Sequence, residues 1–208
     1  MQRNGGAEPV TGLVLAGGRG SRMGGIDKGL ADVGGRPMVA HVLERLAPQV
    51  DRMVINANRH RDDYAGFGHP VVADAQAEYP GPLAGFSAGL AAATTPWVVT
   101  VPCDSPLLPA DLVERLRDVQ RASAADIVSA HDGERLQPVF TLLRTDLHPD
   151  LEAFLASGQR KIDRWFAGHR AVTADFSDNK MAFENVNRPE DRLRMARQLT
   201  RSDPDSQD

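Results

Sequence analysis

Residues 11–28 read Thr-Gly-Leu-Val-Leu-Ala-Gly-Gly-Arg-Gly-Ser-Arg-Met-Gly-Gly-Ile-Asp-Lys. The stretch opens with a short apolar run, the pattern of a buried strand. The run gives way to a loop that holds five glycines together with Arg19, Arg22 and Lys28. Glycines bring bare backbone N–H groups close to whatever sits in the loop, and fixed cations favour concentrated negative charge. A strand feeding such a loop therefore suits a polyphosphate. Such a unit is expected in a protein that handles a nucleotide.

The rest of the chain repeats the alternation. Strand candidates lie at 12–15, 53–56, 71–73, 97–101, 127–130 and 139–143, and helix candidates at 38–46, 84–93, 110–121, 147–156 and 189–199. Within 110–121, Leu112, Val113, Leu116 and Val119 recur at helical spacing. Asn187 is the expected N-cap of the last helix, with Glu190 at the capping-box position. Such alternation predicts an α/β fold of three-layer Rossmann-like architecture, a mostly parallel sheet with helices on both faces. Ligands of these folds bind at the carboxyl ends of the strands, so the loops after Leu15, Asn56, Ala73 and Val101 should converge on one site.

Bulk properties narrow the function classes. At 208 residues the chain suits one domain, expected over 11–200, with polar tails at 1–10 and 201–208 read as disordered. A net charge of −4 gives no basic field for nucleic acid or an anionic membrane. One cysteine, Cys103, excludes an intramolecular disulfide, and no apolar stretch has the length of a signal peptide or membrane span. A cytoplasmic, monomeric protein is the expectation.

Two common phosphate motifs fail on this loop. A Walker loop ends in Gly-Lys-Ser/Thr, whereas Gly24-Gly25 is followed by Ile26-Asp27-Lys28. The dinucleotide fingerprint counted from Gly18 needs Gly or Ala where Met23 stands. The order Leu15, Gly17, Gly18, Arg22, Met23, Gly24, Lys28 instead resembles the signature loop of nucleoside-triphosphate transferases.

Four further positions carry chemistry. Asp104, in Pro102-Cys103-Asp104-Ser105-Pro106, stands just past a strand and is placed to hold Mg²⁺ or to cap the next helix; beside the phosphate loop, the metal reading prevails. Asn56 can donate and accept, as a purine edge or a ribose requires. Asp74 can accept from guanine or from a ribose. Both are also turn-forming residue types. Pro80-Gly81-Pro82 opens a helix of small residues, which suit either close approach to a ligand or tight packing on a sheet. Cys103 is read as a small buried filler, and the six histidines lack zinc spacing.

Together, residues 15–28, Asn56, Asp74, 81–85 and Pro102-Cys103-Asp104 resemble the molybdenum cofactor guanylyltransferase family. So do Gly158-Gln159-Arg160-Lys161, a basic turn before a short helix, and the closing segment 175–190, with Asp175-Phe176-Ser177-Asp178-Asn179-Lys180 and Phe183-Glu184-Asn185-Val186-Asn187-Arg188-Pro189-Glu190. The resemblance implies GMP transfer from GTP to molybdopterin, with pyrophosphate released and Mg²⁺ as cofactor. It implies GTP contacts at Leu15, Ala16, Gly17, Gly18, Lys28, Asn56, Asp74 and Asp104, the metal on Asp104, and catalytic roles for Arg22, Lys28 and Asp104. It places Asn185 and Asn187 on the molybdopterin side, leaves the roles of Arg160 and Lys161 open, and allows transient contact with molybdoenzymes or their chaperones. A GTP half at about 11–105 and an acceptor half at about 106–200 come from the same likeness. Rivals are a molybdenum cofactor cytidylyltransferase, another small-substrate nucleotidyltransferase such as a sugar-1-phosphate enzyme, and a non-catalytic nucleotide-binding regulator. The Gly17-Gly18 pair, in place of an Ala-Gly, favours GTP by resemblance.

Overall fold

In the computed structural model, which describes residues 8–17, 27–75, 81–186 and 189–202, the first apolar run becomes strand β1 (Val10–Leu15). A two-residue hairpin comes next, β2 (Asp32–Val33) and β3 (Arg36–Pro37), then helix α1 (Met38–Leu46), strand β4 (Arg52–Asn56), helix α2 (Arg61–Ala65) and strand β5 (Val71–Val72). Helix α3 (Pro82–Ala92) leads to β6 (Trp97–Pro102), and α4 (Leu112–Ser123) to the pair β7 (Ile127–His131) and β8 (Leu136–Arg144). Helices α5 (His148–Ala156) and α6 (Ile162–Phe166), strand β9 (Ala171–Asp175), a 3₁₀ segment Ser177–Phe183 and helix α7 (Pro189–Ser202) complete the chain.

The main sheet has seven strands in the order β5-β4-β1-β6-β8-β7-β9. The pairs β5–β4, β4–β1, β1–β6 and β7–β9 are parallel, whereas β8 runs antiparallel to both β6 and β7. Because a strand buried on both faces points successive side chains to opposite sides, neighbours in one strand enter different cores. Val14, Ile55, Val99, Val101, Val128 and Leu142 share one core with Val39, Val42 and Leu46 of α1, Tyr64 of α2, and Leu112 and Leu116 of α4. Leu13, Val54, Val98, Ile127 and Leu143 share the other with Leu83, Phe86 and Leu90 of α3, Leu151 of α5 and Trp165 of α6. These two cores make the expected three layers.

A third cluster lies apart from them. Met195 and Leu199 of α7 and Val186 pack with Ala31, Val33 and Met38 around the small hairpin. The last helix is thereby fastened to the segment just after the signature loop.

Several elements depart from expectation. The antiparallel β8 arises because only residues 132–135 separate it from β7; a parallel return needs a crossover of a dozen residues or more. Strand β9 carries no apolar run because it is an edge strand in which Ala174 alone is buried. The folded body also exceeds the expected 11–200 span: the Trp97 indole N–H donates to Glu8 Oε2 at 2.7 Å, and α7 continues to Ser202. Asn187, the expected cap of α7, lies outside the described residues.

Candidate active site

Leu15, Asn56 and Pro102 stand at one level across three neighbouring strands, with Asn56 beside Val72 of β5. The chain builds β4 and β5 on one side of β1, then returns through α3 to place β6 on the other. That reversal opens a crevice outside the carboxyl ends of β1 and β6. The backbone ties its walls together: the Ala16 N–H donates to the Asn56 carbonyl at 2.8 Å and the Cys103 N–H to the Leu15 carbonyl at 3.1 Å.

On one wall stands an ion pair. Lys28 Nζ lies 3.2 Å from Asp104 Oδ2, with the two side chains 28% and 14% exposed. The loop residue and the strand-end residue, 76 positions apart, thus meet. The turn bearing Lys28 is held from beneath. Asp27 Oδ1 accepts from the Tyr64 hydroxyl at 2.5 Å and from the Gly29 N–H at 3.0 Å, and the Gly29 carbonyl accepts from the Val39 N–H of α1 at 2.8 Å. Burial, then the nearby Cys103 and Asp27, pushes the Tyr64 phenol far above its ordinary value, so it stays a donor. Gly29 is required there, because a Cβ would stand 2.4 Å from the Tyr64 oxygen and 3.2 Å from Cys103 Sγ. No sequence pattern singles out Asp27 or Tyr64. Tyr64 is carried by a five-residue helix that periodicity is too short to reveal.

On the other wall, Asn56 Nδ2 donates to Asp74 Oδ1 at 2.8 Å and Asn58 Nδ2 donates to Asp74 Oδ2 at 2.7 Å. The small residues of α3 serve packing. A Cβ at Gly89 would stand 2.1 Å from Leu13 Cδ2, and one at Gly85 would stand 2.6 Å from Asn56 Oδ1 and 2.7 Å from Leu15 Cδ2. Glycines at both positions let α3 lie against β1, with its first turns over Asn56. Gly17 is confined in the same way by Asn56 Oδ1 and Asn58 Nδ2, each 3.0 Å from where its Cβ would be.

The closing segment reaches the same rim. The Val186 N–H donates to the Asp104 carbonyl at 2.9 Å, and Ser105 Oγ donates to Asn185 Oδ1 at 2.7 Å. Asn185 therefore stands beside the Lys28–Asp104 pair. Gly18, Arg19, Arg22 and Asn187 lie outside the described residues. Arg160 Nη1 donates to the Leu155 carbonyl at 2.7 Å, closing the end of α5, and Lys161 is the N-cap of α6. Cys103 is buried, and burial, then the Asp104 charge, pushes its thiol well above its ordinary value, as expected of a filler rather than a nucleophile.

The residues at this rim pass a test of fit for Mg²⁺. The hard donor is the Asp104 carboxylate, and among the described residues no group of three or more acidic, His or Cys side chains could hold a metal. Mg²⁺ is commonly held by one or two carboxylates with phosphate oxygens and water supplying the rest, so the single Asp104 carboxylate fits it.

Comparison with known proteins bears on the family and the fold. Residues 12–173 match the model of the MobA-like NTP transferase domain. A protein of Shewanella sediminis named molybdenum cofactor guanylyltransferase is 44% identical over 192 residues, 92% of this chain and 98% of its own length. One of the same name from Shewanella sp. (strain MR-4) is 45% identical over 93% of this chain and 98% of its own. The crystal structure of molybdopterin-guanine dinucleotide biosynthesis protein A from Archaeoglobus fulgidus superposes with a TM-score of 0.75 at 20% identity, covering 92% of this chain and 98% of that one, a likeness of fold.

Proposed function

The chain belongs to the MobA-like NTP transferase family, and from that premise we propose that it transfers GMP from GTP to the molybdopterin cofactor, forming the guanine dinucleotide and releasing pyrophosphate. The observation that carries the reading is the near-full-length match, at 44% identity, to relatives named for this reaction. The crevice supports it, since a lysine–aspartate pair and an amide-held carboxylate line one rim at the carboxyl end of β1.

In this reading residues 15–17 and Gly18 track the triphosphate, with Arg22 and Lys28 supplying positive charge. An oxygen of the molybdopterin phosphate monoester attacks the α-phosphorus of GTP. The bond from that phosphorus to the oxygen bridging to the β-phosphate breaks, and pyrophosphate leaves with the electron pair. The attacking phosphate is already largely ionised near neutral pH, so no general base is needed. The protein must bring two anions together and hold them in line. Lys28 spreads its charge over the triphosphate, and the Asp27–Tyr64 contact keeps its turn in place. Asn56 and Asp74 meet the nucleoside, while Asn185, next to the segment bearing Asp104, serves the acceptor side, the role the resemblance also gives Asn187. Mg²⁺ would be held by Asp104 and would supply further neutralisation of the phosphates.

Pyrophosphate release with added molybdopterin, measured over GTP, CTP, ATP and UTP, tests the assignment. GTP alone should support turnover, and addition of a chelator should abolish it. Turnover with CTP in place of GTP would overturn the guanylyl assignment in favour of a cytidylyltransferase.

A further inference from the structure

Asn58 lies just past the end of β4, and its side chain makes a reciprocal pair with Asp74. Its Nδ2 donates to Asp74 Oδ2 at 2.7 Å, and its Oδ1 accepts from the Asp74 backbone N–H at 2.9 Å. The same Nδ2 lies 3.5 Å from the Gly17 carbonyl of the signature loop. Asn56 holds the other carboxylate oxygen at 2.8 Å and also reaches the Val72 carbonyl at 3.4 Å. The Asp74 carboxylate is thus gripped at each oxygen by an amide from β4 or its loop, and it cannot turn about its own axis without breaking one of them.

A carboxylate offers two lone-pair positions on each oxygen. With one position on each oxygen filled by Asn56 and Asn58, one further position on each remains, enough for two adjacent donors. Guanine presents two, at N1–H and the 2-amino group. Cytosine and adenine place a ring-nitrogen acceptor beside a single amino donor, which opposes a fixed carboxylate oxygen. We propose that Asn58 is a specificity-determining positioning residue, which fixes the plane of the Asp74 carboxylate and so sets the preference for a base with two adjacent donors. The proposal rests on the reading that Asp74 meets the guanine edge.

Inosine triphosphate keeps N1–H and lacks the 2-amino group, so the ratio of kcat/KM for GTP over ITP reports the second donor directly. The wild-type protein should prefer GTP by roughly tenfold or more, the usual loss when a hydrogen bond to a charged group is removed. Asn58→Ala should shrink that ratio severalfold and raise KM for GTP, with kcat within about twofold and KM for molybdopterin unchanged, since orientation of the carboxylate is what is lost. Asn58→Asp, equal in size but without the donor, should do the same. A general loss of folding would lower both nucleotides together and leave the ratio unmoved. Asp74→Asn separates the two readings. If it collapses the ratio while Asn58→Ala and Asn58→Asp retain it, the role of Asn58 is overturned. If Asp74→Asn leaves the ratio at its wild-type value, or the wild-type protein does not distinguish GTP from ITP, Asp74 does not read the base and both fall.

Discussion

At the residue scale, the proposed chemistry turns on charges brought together from distant parts of the chain. Lys28 and Asp104 form a 3.2 Å pair in a partly shielded crevice, where Coulomb interactions act more strongly than in bulk water. Lys28→Ala, or Asp104→Asn, should lower kcat/KM by roughly 10²-fold or more, the scale seen when one stabilising group is removed from a phosphoryl-transfer site. Steady-state turnover of Lys28→Ala within a few-fold of wild type would remove the lysine from the mechanism. Tyr64→Phe deletes one hydroxyl and leaves Asp27, only 8% exposed, short of a partner. A buried group left unsatisfied costs about 1–3 kcal/mol, so Tm should fall, and kcat should fall with it because the Lys28 turn loses its anchor. A variant with wild-type Tm and turnover would show that the Asp27–Tyr64 contact supports nothing. The lysine, the aspartate and the two strand-end polar residues are legible from the loop pattern and from strand ends. Asp27, Tyr64 and Asn58 are not, since the side-chain partner that gives each its role lies 16 or more positions away.

At the element scale, the hairpin between β7 and β8 inserts the antiparallel strand into an otherwise parallel sheet. Asp132 closes its turn. Burial opposes ionisation there, yet the N–H groups of Arg135 and Glu134 and the Gln137 amide hold the carboxyl at about 2, against an ordinary 3.8. Gly133, at φ +90, takes a conformation that other residues resist. Asp-Gly between two apolar runs is a hairpin signal that strand counting alone passes over. Because the folded-state value lies below the unfolded one, the stabilisation is complete above about pH 4 and is lost as pH falls toward 2. It amounts to about 2 kcal/mol from the size of the shift. The Tm gap between the wild-type protein and Asp132→Asn should therefore be widest at neutral pH and close between pH 4 and 2. A gap that stays constant with pH would mean that the charge is not what holds the turn.

At the scale of the whole molecule, the two expected halves share one sheet. β6 of the first pairs with β8 of the second through Trp97–Arg144, Val98–Leu143, Val99–Leu142 and Thr100–Thr141. Both cores cross that seam, with Val98 and Ile127 together on one face and Val99 and Val128 on the other. A seam with a hydrogen-bonded ladder and two continuous cores should not part before the whole unfolds. Trp97 lies in β6 and Trp165 in α6, both buried, so Trp97→Phe and Trp165→Phe leave one reporter in each half. Their fluorescence transitions in denaturant should coincide with each other and with loss of helical circular dichroism. Separate midpoints would establish two folding units in place of one.

By itself the sequence determined the class of fold and the rim on which to look. A strand running into a glycine-rich basic loop, with alternating apolar runs and amphipathic stretches after it, leaves few ways to bury its apolar surface other than a sheet between two helical layers, and that topology places ligands at the strands' carboxyl ends. Tertiary structure alone decided the reversal of β8, the edge strand β9, the docking of α7 on the small hairpin, and the partners that orient the site. Local patterns report what one segment can bury against an unspecified neighbour. They carry no record of which distant hydroxyl meets Asp27, which amide grips Asp74, or which carbonyl Val186 finds at Asp104, because those contacts exist only once the sheet has brought the strand ends together.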